Sequence, residues 1–357
     1  MKKIDFKSIF KPKPKPTLGI DIGSHSIKLI EFEEKGGEKI LKKIGRTFLP
    51  NGAIVDGSIK DHEAVTNALR NLITNVQPKL KRTSTSISGY SVIVKKIHVP
   101  LTTEREIEEN LIIEAEKYVP FEIEEVYIDF SILKTYEDEP GGTDLFLVAA
   151  KKEIVDSYAS LLEEVGLIPS VIDVDVFTLS NAFEMAYGIM EEAAVLVDIG
   201  ATKTNLNIVY KAMPIFTRDM AFGGEQLTDA IRDATGLNWE EAEKVKIGGT
   251  EDTILKKEIN EVINQLVDLW VQEVKKAIDF FKSNSPQKEH PSHIFLSGGC
   301  ALLKGIEEKF ANGLELEAKR LNCLETVKLS KEIDREYVEK IGPQMAIATG
   351  LALRSIE

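Results

Sequence analysis

The stretch LGIDIGSHSIKLIEF, Leu18–Phe32, decides how the rest of the chain is read. Leu18–Ile22 is a short apolar run of the kind that forms a buried strand, and Ile27–Phe32 alternates apolar and polar residues as a half-exposed strand does. Between them Gly23-Ser24-His25-Ser26 makes a tight turn, where Gly23 lets the backbone approach a ligand with no Cβ in the way. Ser24 and Ser26 offer hydroxyls, the turn offers backbone N–H groups, and Lys28 offers a cation. Asp21, at the end of the first strand, is placed to hold a metal ion through water. Such a hairpin suits a phosphate–Mg²⁺ pair. A single Asp-x-Gly at a strand end is more often a plain turn.

The pattern returns at Val195–Tyr210, VLVDIGATKTNLNIVY. Asp198 matches Asp21, Gly200 matches Gly23, and small polar residues again precede a second apolar run. The sequels match too. A third strand over Lys39–Leu49, reached through Gly36-Gly37, and a helix over Asp61–Val76 follow the first hairpin; Met213–Met220 and a helix over Gly223–Ala234 follow the second. This is an internal duplication at long period. Two such hairpins, each heading a β-β-β-α unit, could close on one ligand from opposite sides.

The bulk properties describe an ordinary globular protein. The 357 residues are long enough for two domains or one bilobed body. A net charge of −13 argues against nucleic acid as the main partner. Cys300 and Cys323 fit neither a metal spacing nor a disulfide framework and suit a reducing compartment. No apolar run approaches a membrane span, and residues 1–16 lack the apolar stretch of a signal peptide. That segment, MKKIDFKSIFKPKPKP, reads as a solvated basic tail, or else as a peptide that anchors to acidic lipid or a partner through Phe6, Ile9 and Phe10.

The middle of the chain departs from the repeat. Strands are expected over Thr83–Ser88, Val92–Val99, Val126–Tyr136, Leu145–Ala150 and Ile168–Val174, with a turn at Pro140-Gly141-Gly142. Helices are expected over Thr103–Val119, Lys151–Val165 and Val176–Tyr187. After the second hairpin come helices over Asn238–Ile247 and Leu255–Asn284, a strand over Ser292–Ser297, and helices over Ala301–Asn312 and Pro343–Arg354. The domain division expected is a tail at 1–16, a first subdomain of 17–89 plus 174–190, an insertion at 90–173, and a second lobe at 191–357.

Five blocks then stand in the order of the actin-like ATPase superfamily, which includes actin, Hsp70, hexokinase and FtsA. They are Gly19–Lys28, Asp173–Phe183, Asp198–Asn205, HIFLSGGCALLKG and GPQMAIATGLALR. Within it the chain resembles the PilM family of type IV pilus assembly. GIDIGSHSIKLIE, IIEAEKYVPFEIEEVYIDFSIL and PSVIDVDVFTLSNAFE carry that likeness, the middle one most specifically. The resemblance implies an α/β fold: a duplicated RNase H-like fold with two lobes around a nucleotide cleft and an FtsA-type 1C insertion. It implies ATP and Mg²⁺ as ligands, with Asp21 and Asp198 facing the ion. By the same resemblance Gly23, Ser24, His25, Ser26 and Lys28 face Gly200, Ala201, Thr202, Lys203 and Thr204 across the phosphates. Gly298, Gly299 and Cys300 would lie against the adenosine, and Gly223-Gly224 would open a helix beside the ligand. Glu243 and Lys246, one turn apart, occupy positions that in relatives reach ribose and adenine; read from the residues alone they are equally a solvated ion pair. Asp175 falls where relatives orient the attacking water, though Asp173 and Asp175 equally suit strand-end carboxylates. Cys300 and His25 stand where relatives keep small residues, and His25 is expected to be neutral and solvent-facing.

The resemblance further implies a cytoplasmic protein held at the inner membrane through the N-terminal cytoplasmic peptide of a bitopic PilN-like partner. The peptide groove would fall along Arg82–Val99 and Thr103–Val119, where an edge strand could accept it. ATP turnover is expected to be slow at best. Alternatives are a small-molecule kinase of the same superfamily, for which no substrate signature is present, and an FtsA-like division filament. The latter carries a membrane-binding helix after the closing helix, where this sequence stops at Glu357. An Hsp70-like chaperone would need a further substrate-binding domain.

Overall fold

The computed structural model describes residues 15–136 and 141–356. The basic tail therefore lies almost wholly outside the described residues, as does Pro140 of the expected turn. The first unit is β1 (Leu18–Ile22), β2 (Ser26–Lys35), β3 (Glu38–Phe48), α1 (His62–Val76) and β4 (Arg82–Ile87). Gly36 and Gly37 take φ of +64° and +80° and close the β2–β3 hairpin as a two-residue turn with both central residues left-handed. Asp61 caps α1 by accepting from the Ala64 N–H at 2.9 Å. The helix buries Val65, Leu69 and Leu72 on the sheet.

The chain then leaves this sheet. β5 (Val92–Val99), α2 (Glu104–Ala115), β6 (Val126–Tyr136) and β7 (Gly142–Lys151) form a separate antiparallel sheet of order β5-β7-β6. Its apolar face, with Ile97, Val99, Leu145 and Leu147, meets Ile107 and Ala115 of α2, which starts in a Thr103–Glu106 capping box. The chain returns earlier than the reading of 90–173 as one insertion. α3 (Lys152–Glu164) packs Ile154, Leu161 and Leu162 into the first core, and β8 (Ile168–Val174) pairs in parallel with β4. The buried face of α3 matches the first sheet, so only the segment from β5 to β7 stands apart.

α4 (Asp175–Tyr187) leads to the second unit: β9 (Ala193–Ile199), β10 (Thr204–Tyr210), β11 (Met213–Met220), α5 (Gly224–Thr235), α6 (Trp239–Gly248), α7 (Thr253–Asn284) and β12 (Pro291–Ser297). The helix expected over Ala301–Asn312 is broken. Gly299–Leu302 forms one 3-10 turn, Gly305 adopts φ +79°, and α8 spans Ile306–Leu314. β13 (Glu317–Arg320), β14 (Lys328–Leu329), α9 (Arg335–Ile341) and α10 (Ala346–Ala352) complete the described elements named here. The expected closing helix begins as a 3-10 turn over Gly342–Met345.

The first sheet runs β8-β4-β1-β2-β3-β14, and the second β11-β10-β9-β12-β13. In each, the opening strand pairs antiparallel with the next and parallel with the strand that follows the helical part, so five strands share one order and one set of directions. The duplication read from two hairpins thus extends to whole sheets. α4 and α10 lie between the sheets, where Leu179 and Phe183 meet Leu196, Phe295, Ile347 and Leu351. The approach is close: a Cβ on Gly350 would lie 1.8 Å from the Thr178 carbonyl oxygen, and one on Gly19 would lie 2.4 Å from that of Ala348. Residues after β13 return to the first lobe, since Leu324, Val338, Ile341 and Met345 pack on Ile30, Phe32 and Leu41.

Candidate functional site

The two hairpin turns meet head to head. Gly23 N–H donates to the Ser26 carbonyl at 3.1 Å, and Gly200 N–H donates to the Lys203 carbonyl at 2.9 Å, so both turns close in the same way. Ser24 Oγ and Thr202 Oγ1 are 3.1 Å apart and bridge the lobes. Behind them opens a cleft of about 630 Å³. Both acids of the repeat line it, with Asp175, and so do Gly23, Ser24, His25, Ser26, Lys28, Gly200, Ala201, Thr202, Lys203, Gly224, Glu243, Lys246, Gly298, Gly299 and Cys300.

The two acids differ. Lys28, cross-strand from Asp21, donates to its Oδ2 at 2.7 Å. The same position opposite Asp198 holds Asn205, and Asp198 instead accepts from Ser297 Oγ at 2.8 Å. Burial pushes the Asp198 carboxyl up to about 6, and Asp21 adds to the rise while Ser297 opposes it. Asp21 is also raised, by burial first, with Lys28 opposing. Two carboxylates that resist ionisation in a buried cleft form an environment that a cation relieves. Asn205 Oδ1 is buried there with no partner, an acceptor that a water or hydrated ion would satisfy. No group of three or more metal-ligating side chains occurs among the described residues. Mg²⁺ fits that arrangement, because it is commonly held by one or two carboxylates, phosphates and its own waters.

Asp175 begins α4 and is crowded with donors. Ser86 Oγ donates to it at 2.7 Å, Ser88 Oγ also donates, Asn205 Nδ2 lies at 3.4 Å and Lys203 Nζ at 3.5 Å. Asp173 points elsewhere and pairs with Arg354. Asp175 therefore faces the cleft and Asp173 is the structural carboxylate.

At the far end Glu243 and Lys246 of α6 form a 2.6 Å ion pair. Lys246 also reaches the Gly224 carbonyl at 3.0 Å and Thr228 Oγ1 at 2.9 Å. The pair is enclosed rather than solvated. Gly298 takes φ +83°, and a Cβ there would lie 2.4 Å from the Ile199 carbonyl oxygen, whereas Gly299 faces open space. Cys300 fits under the second hairpin, its Sγ 3.7 Å from the Gly200 carbonyl oxygen, and burial raises its thiol to about 12.

Three expectations change. Thr204 is buried and its hydroxyl donates to the Phe222 carbonyl at 2.9 Å, because it opens strand β10 on the face away from the cleft. Gly223 sits behind the second hairpin, where a Cβ would lie 2.4 Å from the Ala201 carbonyl oxygen; Gly224 and Glu225 donate their N–H groups to Gly200 and Ala201 at 3.0 and 2.8 Å. Those first N–H groups of α5 hold the hairpin. His25 is only partly exposed, with 26% of its side chain accessible: its ring packs edge-on to Phe48 at 5.2 Å, lies 6.2 Å from Trp239, and sits 4.0 Å from the Glu243 carboxylate. Burial lowers its pKa despite Glu243. Arg46, Phe48, Asn205 and Gln344 also line the cleft and escaped the sequence reading. Only Asn205 carried a signal, its place opposite Asp198 in the repeat.

A sequence model of the family described as type IV pilus assembly protein PilM matches residues 19–356. The chain is similar in structure to a solved PilM-PilN type IV pilus biogenesis complex, with a TM-score of 0.84 and 29% identity, covering 96% of this chain and 99% of that one. It shares the fold of MreB 5 of Spiroplasma citri, solved bound to AMPPNP, at a TM-score of 0.52 and 14% identity over 95% of each chain. Among curated proteins it is 22% identical over 332 residues to the cell division protein FtsA of Streptococcus pneumoniae serotype 2 (strain D39 / NCTC 7466), covering 81% of this chain and 72% of that protein. A duplicated actin-like fold matched over nearly its whole length leads to one conclusion: this chain belongs to the type IV pilus assembly protein PilM family.

Proposed function

We propose that the protein binds ATP with Mg²⁺ between its hairpins and serves as a nucleotide-responsive scaffold in type IV pilus assembly. The observation that carries this reading is the convergence of two like-folded turns, each with its strand-end acid, on one cleft. The N–H groups and hydroxyls of Ser24, Ser26 and Thr202 and the N–H of Ala201, with the Lys28 and Lys203 ammoniums, would take the phosphates. Asp21 and Asp198 would hold Mg²⁺ through its waters, with Asn205 accepting from the same shell. The ion supplies charge neutralisation at the phosphates when bound. Gly299, with no Cβ, leaves room for the nucleoside against the Gly298–Cys300 backbone, and the Glu243–Lys246 pair stands where the ribose would be held. Asp175, its oxygens engaged by Ser86, Ser88, Asn205 and Lys203, is tied down as a base, which supports slow turnover at best.

The partner in this reading is the N-terminal cytoplasmic peptide of a PilN-like inner-membrane protein, which would hold the scaffold at the cytoplasmic face of that membrane. No helix among the described residues is long and apolar enough to cross a membrane. A second cavity of about 330 Å³ offers the peptide a place. It is lined by Ser88–Tyr90, the start of β5 and the end of β11, and both strands are sheet edges with unpaired backbone groups. The segment from β5 to β7 would then be the FtsA-type 1C insertion. Calorimetry with Mg-ATP tests the cleft: Asp198→Ala should weaken binding at least about tenfold, and an unchanged affinity would count against this site. Titration with the tail peptide of the partner tests the second cavity.

A further inference from the structure

Thr202 and Lys203 line both cavities and are the described residues that do so. Thr202 is engaged with Ser24 across the cleft. Lys203 turns the other way: its ammonium donates to Ser88 Oγ and lies 3.5 Å from Asp175 Oδ2. Ser88 Oγ in turn donates to that same Asp175 oxygen. The hydroxyl is thus held as acceptor from one lobe and donor to the other.

Ser88 begins the link between β4 of the first sheet and β5 of the separate one. The link is short and shaped. Gly89 takes φ +98° and its carbonyl accepts from Val92 N–H at 3.0 Å. Gly89 and Asp219 of β11 line the second cavity together. A Cβ on the neighbouring Gly57 would lie 2.6 Å from the Ser88 carbonyl oxygen, so the link has little room to slide. A change at Ser88 therefore reaches the edges of β5 and β11 together.

We infer that Ser88 is a positioning residue that reports, through Lys203, whether the phosphate end of the cleft is filled to the link carrying the β5-β7-β6 sheet and to the cavity beside it. This rests on the nucleotide reading above. A polyphosphate between the hairpins carries several negative charges and attracts the Lys203 ammonium more strongly than the Ser88 hydroxyl and the single Asp175 carboxylate do. Ser88 then keeps only its bond to Asp175, and the link settles in a second arrangement. The coupling is reciprocal: an occupant of the second cavity that favours one arrangement shifts nucleotide affinity by the same factor.

Hydrogen exchange of residues 85–94 with and without saturating Mg-AMPPNP tests it, in the wild type, Ser88→Ala and Ser88→Thr. The wild type should change its exchange rate in this segment by about threefold or more on adding nucleotide. Ser88→Ala should bind AMPPNP within about twofold of wild type yet lose that response, and Ser88→Thr should keep it. A full response in Ser88→Ala, or a wild type that binds AMPPNP with no change at 85–94, overturns the inference and leaves the nucleotide reading standing. A wild type that shows no AMPPNP binding by calorimetry overturns both. The wild-type arm decides even if Ser88→Ala does not fold.

Discussion

Asp198 shows what the proposed binding role would cost one residue in stability. Its folded pKa, pushed to about 6 from the ordinary 3.8, means that ionisation costs the folded state more than the unfolded one. The penalty is absent below the unfolded value and grows as pH rises through the folded one. Asp198→Asn keeps an acceptor for Ser297 and removes the charge. We expect it to raise the melting temperature of the ligand-free protein by roughly 2–4 °C near neutral pH, less near pH 5, and to abolish stabilisation by Mg-nucleotide. A thermal-shift series over pH with and without Mg-ATP reads both. Cys300 and Cys323 are buried, and a thiol held at about 12, as Cys300 is, has almost no thiolate at neutral pH. Ellman's reagent should label neither in the folded protein and both in denaturant. At this scale the sequence was most legible where it repeated itself. Asp21 and Asp198 stood out because each explains the other. Thr204 misled because residues after a Gly turn look alike in sequence, while strand alternation from Asp198 and Asn205 sends their neighbour inward.

Element-level differences have local causes. The β2–β3 turn uses Gly36-Gly37, but the matching β10–β11 turn uses Lys211 and Ala212 at φ +50° and +63°. A non-glycine residue in that region costs about 1–2 kcal/mol. Replacing the pair by Asn-Gly should raise stability by about 1 kcal/mol, measured by urea denaturation. Gly350→Ala should do the reverse. Its Cβ would enter the Thr178 carbonyl where α10 crosses α4, and we expect a loss of about 3 kcal/mol or more. Long periodic elements were readable: α7 and the strands of both hairpins lie within a few residues of expectation. Short polar ones were not. Glu317–Arg320 joins the second sheet with the sequence EAKR, which carries no strand pattern, and its pairing with β12 comes from tertiary context. The helix expected from Ala301 ignored Gly305, whose left-handed conformation separates turn from helix.

Across the whole molecule, the lobes are tied by α4 and α10 at the back and touch at the mouth through Ser24–Thr202 and the His25, Phe48 and Trp239 rings. Trp239 therefore senses the distance between lobes, whereas Trp270, stacked on Phe222 at 5.3 Å, lies within one. Adding Mg-ATP should change the emission of a Trp270→Phe variant and leave a Trp239→Phe variant unchanged; the opposite pattern would place the motion elsewhere. The return of the chain to the first lobe after β13 was hidden in sequence, because Leu324, Val338 and Ile341 read as ordinary apolar positions.

The shared strand order of the two sheets has a chemical consequence. A clamp built from two like sheets would hold badly a ligand with two unlike ends, and two equal acids would compete for one ion. Here one copy has placed Lys28 opposite its acid and the other Asn205. The first acid is paired with a cation of its own hairpin and the second only with a hydroxyl, so an ion held between them would lean toward Asp198. Divergence at this cross-strand position gives a duplicated frame a polarity, and with it a direction in which a ligand held there would lie.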